Sequence, residues 1–93
     1  MILSFKQNWL EDFWHNGDNK RVPSDLKNRL SRKLDMLNAA KELKDLIPPP
    51  SNHLHSLHGD REGQFAISVN GPWRLCFKIK NNDIIDVELV QYH

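Results

Sequence analysis

The sequence has too little cysteine for disulfides, no long apolar run and almost no net charge. Its one cysteine, Cys76, allows no disulfide within the chain, which fits a reducing compartment. No apolar run approaches the roughly 20 residues of a membrane helix. The opening Met-Ile-Leu-Ser-Phe-Lys-Gln-Asn turns to charge and amides too early for a signal peptide. The expectation is a cytoplasmic protein with no membrane association. Lys and Arg number 13 against 12 Asp and Glu, a net charge of +1, so the total does not announce a strongly basic nucleic-acid binder. With 39% hydrophobic and 27% charged residues, a highly charged disordered chain is excluded as well. A length of 93 residues suffices for one core and not two, so residues 1–93 read as a single domain. Neither repeats nor low-complexity segments interrupt it. Histidine is the type in excess: of five, three fall at His53, His55 and His58, and another is His93.

The first half reads as helical. Ile2 to Phe5 is short and apolar, a candidate first strand. Asn8 is placed to cap a short helix, with Glu11 in the capping-box position and Trp9/Phe13 and Leu10/Trp14 one turn apart. From Ser24 to Ala40, Leu26, Leu30, Leu34 and Leu37 recur at helical steps. The Lys27, Arg29, Arg32 and Lys33 between them form either a solvated face or an RNA-contacting one. Lys41 to Ile47 predicts a further short helix, which Pro48-Pro49-Pro50 ends.

The second half alternates. Phe65, Ile67 and Val69 share one face, as do Trp73, Leu75, Phe77 and Ile79, and then Ile85, Val87 and Leu89. Turns are expected at Asn70-Gly71-Pro72 and Asn81-Asn82-Asp83. This predicts an antiparallel meander covered on its apolar face by the leucine-striped helix. The fold class is α+β, with the N-terminal strand and helices packed on one face of the sheet. The other face, carrying Gln64, Ser68, Arg74 and Lys78, reads as polar and exposed.

The loop Asn52 to Gly63 carries the three clustered histidines and Arg61; Arg74 projects from the second meander strand, and Gln91-Tyr92-His93 follow the last. Carboxylate pairs and thiol–imidazole arrangements are absent from this set, and Cys76, alternating with core residues, reads as structural. Imidazole, phenol and guanidinium groups suit RNA cleavage, in which the substrate's own 2′-hydroxyl is the nucleophile. Imidazole moves protons near neutral pH, and arginine holds phosphate oxygens. Three alternatives stand beside this. His53, His55 and His58 bind a metal, although the spacing matches no standard zinc pattern; the loop is only a polar surface; or Arg74 is merely a salt-bridge partner of Asp86 or Glu88.

The run Leu54-His55-Ser56-Leu57-His58-Gly59-Asp60-Arg61-Glu62-Gly63, followed by Phe65-Ala66-Ile67-Ser68-Val69, Trp73-Arg74-Leu75-Cys76-Phe77 and a terminal Tyr92-His93, resembles the HigB toxins of the RelE-like toxin–antitoxin superfamily. The resemblance extends over essentially the whole chain. It implies the compact RelE-like fold and a ribosome-dependent mRNA endonuclease that cuts in the 30S A site by 2′-hydroxyl attack. It also implies a HigA-like helix-turn-helix antitoxin as partner, and no metal or cofactor. By resemblance His55, Arg74, Tyr92 and His93 are catalytic and Arg61 contacts RNA or braces the loop; His58, Lys78 and Gln91 are further expected RNA contacts. His58 stands where the family commonly has lysine, and Gln91 where aspartate commonly precedes Tyr-His. These departures define an alternative: a catalytically weakened relative that keeps antitoxin binding. Residues 51–93 hold 4 basic against 5 acidic side chains and residues 1–50 hold 9 against 7. The site must therefore rely on placed groups, with helix cations helping to dock the ribosome.

Overall fold

The computed structural model describes residues 1–92. Two helices, α1 (Asn8–Asn16) and α2 (Lys27–Ala39), precede a four-stranded antiparallel sheet. Its strands β1 (His55–Ser56), β2 (Phe65–Asn70), β3 (Trp73–Lys80) and β4 (Asp83–Gln91) lie side by side in chain order. The leucine stripe does what its period predicts. Leu26, Leu30, Leu34 and Leu37, with Leu10 and Phe13 of α1, are buried against Ile67, Leu75, Phe77, Val87 and Leu89. Burying each such side chain contributes about 1.5–3 kcal/mol, which fixes both helices to one face of the sheet.

Several local expectations change. α2 begins at Lys27 rather than Ser24, because Pro23 to Leu26 close a turn in which the Leu26 N–H donates to Pro23 O at 2.9 Å. Asn8 does not cap α1. Gln7 holds that position without a side-chain cap, since its amide is engaged elsewhere: Nε2 donates to Leu89 O at 3.0 Å and Oε1 accepts the Leu89 N–H at 2.8 Å. Lys41 to Ile47 yields only a 3-10 turn, Leu43–Leu46, closed by reciprocal Glu42 and Asp45 side-chain bonds.

The N-terminal segment pairs in parallel with β4 through two isolated bridges, Ile2 with Ile84 and Phe5 with Val87, in place of a continuous strand. The interruption lies in β4. Its register against β3 shifts between Cys76 and Lys78, and Asp86 takes a left-handed φ of 56°, the signature of a bulge. Ser4 Oγ accepts the Asp86 N–H at 2.9 Å. The inserted residue resets the alternation, so Ile84 rather than Ile85 joins Val87 and Leu89 in the core. At the β3–β4 turn, Asn81 and Asn82 (φ 53° and 69°) sit between the paired Lys80 and Asp83, a type I′ hairpin.

The histidine loop is more ordered than its polarity predicts. Two of its residues form β1, pairing His55 with Ala66 and Ser56 with Phe65, and 3-10 turns cover Pro50–Asn52 and Gly59–Arg61.

Candidate functional site

Side chains alternate across a strand, so the pairings define rows on the sheet face turned away from the helices. One row runs His55, Ala66, Cys76, Glu88. The next holds Ser68, Arg74 and Val90. This face is not the open polar surface expected from its sequence. Ala66 and Cys76 are fully buried and form a small apolar cluster with Leu57, against which Val90 packs. The loop after β1 folds back as a cover: the Leu57 N–H donates to Gln64 O at 2.9 Å and the Gln64 N–H to Arg61 O at 3.0 Å. Gln64, expected to be exposed, is buried. Arg61 locks the cover, its Nη1 donating to Glu88 Oε1 at 3.0 Å and Gln64 Oε1 at 3.1 Å. The structure thus gives Arg61 bracing contacts.

Tyr92 lies over the same cluster. Its N–H donates to Pro72 O at 2.8 Å and its hydroxyl sits 3.7 Å from Cys76 Sγ. Burial, and next the Cys76 thiol, push the phenol pKa up, while Arg61 and Arg74 pull against the shift. Tyr92 is therefore a neutral hydrogen-bond donor at physiological pH. Burial also pushes the Cys76 thiol up, which agrees with a structural role.

Arg74 pairs with no carboxylate among the described residues. The two acids considered as its partners go elsewhere, Glu88 to Arg61 and Asp86 to Lys78, 3.9 Å away. Arg74 Nη1 instead donates to Gly71 O and Trp73 O, which aims the guanidinium. His55 is exposed, and its Nδ1 lies 2.8 Å from His53 O. A carbonyl only accepts, so Nδ1 is the donor, and in the neutral imidazole Nε2 presents a lone pair. That is the tautomer a base requires.

The other predicted residues scatter. His58 is exposed and 3.9 Å from Glu62. Lys78 is on the Arg74 face but four residues along β3, roughly 13 Å away at strand rise. Gln91 pairs with Trp73, on the face opposite Arg74. His93 lies outside the described residues. Among the described residues no three His, Cys, Asp or Glu side chains are gathered as a metal site. The sequence reading left one group off its site list: Arg29, Arg32 and Lys33 of α2 line a cavity together with Arg74 and His53. The helical spacing that put these cations on one face was visible, but their meeting with Arg74 is a tertiary fact.

The family model of the HigB-like toxin, described as the RelE-like toxin of type II toxin–antitoxin system HigB, matches residues 3–93. The chain belongs to this family. Among relatives of this HigB-like toxin is Toxin HigB-1 of Vibrio cholerae, 42% identical over 79 residues, covering 84% of this chain and 83% of the relative. Endoribonuclease HigB of Proteus vulgaris is 33% identical over 93 residues and both full lengths. Two solved structures share the fold. A point mutant of YafQ from E. coli superposes with a TM-score of 0.63 at 18% identity, covering 98% of this chain and 91% of that one. The YoeB–YefM complex from Staphylococcus aureus gives 0.62 at 15%, covering 100% and 95%. The α+β, RelE-like fold class holds. As a type II toxin, the chain has an antitoxin as its partner. No helix among the described residues is long and apolar enough to cross a membrane.

Proposed function

We propose that this HigB-like toxin acts as one domain of residues 1–93, an endoribonuclease that cuts mRNA in the ribosomal A site of the bacterial cytoplasm and so stops translation. The observation that carries the reading is Arg74, held by backbone carbonyls and without a carboxylate partner among the described residues, on one sheet face between His55 and Tyr92. From strand spacing and rise, the Cα atoms of His55 and Arg74 are about 12 Å apart, a span two long side chains bridge around a phosphodiester.

In this reading the 2′-hydroxyl attacks the adjacent phosphorus and the 5′-oxygen leaves. His55 Nε2 takes or relays the hydroxyl proton, and His93 gives one to the leaving oxygen. Arg74 holds the phosphoryl oxygens as charge builds on them. The neutral Tyr92 phenol positions the strand by hydrogen bonding or by stacking on a base. His58 and Arg61 lie on the loop beside this path, Arg61 acting through the loop it braces, and Lys78 and Gln91 meet RNA only at its margins. The antitoxin is HigA-like, with a helix-turn-helix. The test maps mRNA ends in a translating extract, with and without ribosomes, for wild type, Arg74→Ala and His93→Ala. Cleavage is expected only with ribosomes and only from wild type. Wild-type cutting by both variants, with folding verified by circular dichroism, overturns the assignment.

A further inference from the structure

A cavity of about 450 Å³ opens between α2, the loop before β1 and the end of β2, and Arg29, Arg32, Lys33, His53, Ser68 and Arg74 contribute to its wall. Its volume falls in the range of about 300–1,000 Å³ typical of small-ligand sites. Four basic side chains converge there, and among the described residues neither Asp nor Glu lines it. Three cations elsewhere have counter-charges, Lys44 with Glu42, Arg61 with Glu88 and Lys78 with Asp86, while the cavity gathers in one place four that have none among the described residues.

Three further observations show that the site is built rather than accidental. Lys33 is buried, and its ammonium is held by Asn52 Oδ1. Asn52 is itself fully buried and donates to Leu46 O at 3.0 Å and Pro48 O at 3.2 Å. The Lys33 pKa is pushed down by burial and then by Arg29 and Arg32, so the cluster is held together against its own repulsion. Ser68 Oγ, also in this wall, is buried without a hydrogen-bond partner. Finally, α2 has no acidic residue in its first turn and no basic one in its last. Arg29 in that first turn opposes the helix dipole, so its placement there costs some helix stability.

We propose that this cavity binds a second phosphodiester of the RNA strand, neighbouring the one held at Arg74, so that the strand passes from α2 onto the sheet face bearing Tyr92 and His55. The proposal rests on the endoribonuclease reading and extends it to Arg29, Arg32, Lys33 and Ser68 as binding groups. Arg74, shared by the cavity and the reaction face, is what favours an RNA strand over an acidic peptide.

The test uses the full chain with a 2′-O-methyl RNA trinucleotide, which binds but cannot be cut, titrated over a series of salt concentrations. The variants are Arg29→Gln combined with Arg32→Gln, both exposed positions, and Lys80→Gln as a control cation away from the cavity. The double variant is expected to bind about tenfold more weakly and to lower the slope of log affinity against log salt by about 0.7, the value for one lost phosphate contact. In the ribosomal assay its KM rises while kcat holds, and Lys80→Gln matches wild type. Failure of wild type to bind, or equal affinity and slope in wild type and double variant, overturns the proposal. So does tighter binding of an oligoglutamate peptide with the same Arg29 and Arg32 dependence. If wild type cuts no mRNA yet binds the trinucleotide through Arg29 and Arg32, the endoribonuclease reading fails and the phosphodiester site stands. If wild type cuts and the double variant binds and cuts identically, the site alone fails.

Discussion

Replacing Arg61 by methionine separates bracing from RNA contact. Arg61 Nη1 bonds Glu88 and Gln64 at 3.0 and 3.1 Å, and the Arg61 and Glu88 side chains are 30% and 24% exposed. An ion pair in full solvent contributes about 0–1 kcal/mol, but a charge-assisted hydrogen bond away from bulk water contributes about 1.5–3 kcal/mol. The guanidinium pKa is raised chiefly by its hydrogen bond to Glu88, which marks this partner as the dominant one. Arg61→Met removes both bonds and leaves a mostly covered carboxylate unpaired, for an expected loss of about 2 kcal/mol. With an unfolding entropy of about 2.1 cal/mol/K per residue, the 93 residues give about 0.2 kcal/mol/K. The thermal midpoint should therefore fall by about 10 °C.

Glu88→Gln keeps an acceptor and should cost about half as much. The cycle of wild type, Arg61→Met, Glu88→Met and their double variant, which strands no charge, should show a coupling of about 1–2 kcal/mol. Urea denaturation followed by tryptophan fluorescence gives all four stabilities. Loss of cleavage by Arg61→Met with an unchanged midpoint would refute the bracing argument and return Arg61 to the RNA.

His55→Gln removes the exposed imidazole without touching the core, so cleavage should drop by about 10²–10⁴-fold at unchanged thermal stability; a destabilised variant would mean that the His53 carbonyl contact is structural. The buried Cys76 should resist iodoacetamide in the native protein at pH 8 and react once urea unfolds it, and equal rates would contradict its burial. Because its folded pKa is raised, Tyr92 contributes stability that is full below the unfolded phenol value of about 10 and is lost as pH rises through the folded one; absorbance titration should place the native midpoint above that in urea. Asn81→Val forces a β-branched residue into a left-handed turn and should cost about 1–2 kcal/mol, read as a lower midpoint, whereas Asn81→Gly should not.

Patterns that depend on period were legible in the sequence. The leucine stripe of α2 and the alternation of β2 and β3 predicted which face is core because burial repeats every 3.6 or 2 residues. What failed depends on a single residue or a distant partner. One bulge at Asp86 exchanged Ile85 for Ile84, and nothing in Asp83–Gln91 taken alone signals it. Asn8 looked like a cap, but the end of α1 was decided by Gln7 reaching Leu89, 82 residues away. β1 is two residues long, too short to alternate visibly. The site divided in the same way. The register places His55, Arg74 and Tyr92 on one face, whereas Arg61, by resemblance an RNA contact or a loop brace, makes its contacts to Glu88 and Gln64, distant in sequence or hidden in the loop. The α2 cations were seen as a stripe, and only packing showed what they surround.

The near-neutral charge of the chain is a matter of pairing as much as of composition. The second half carries one more acid than base, which taken alone would repel RNA. Yet Asp83 is spent on the N-terminal ammonium, Asp86 lies by Lys78, Glu88 is bound to Arg61 and Glu62 lies near His58. Each acid so engaged withdraws its field from the sheet face. Arg74 and the α2 cations have no such partner among the described residues, and they share one cavity. A protein of net charge +1 can therefore present a local positive field where catalysis needs it, without the diffuse attraction for nucleic acid that a basic surface brings. Recognition then rests on placement, which suits an enzyme whose proposed substrate is RNA already held by the ribosome.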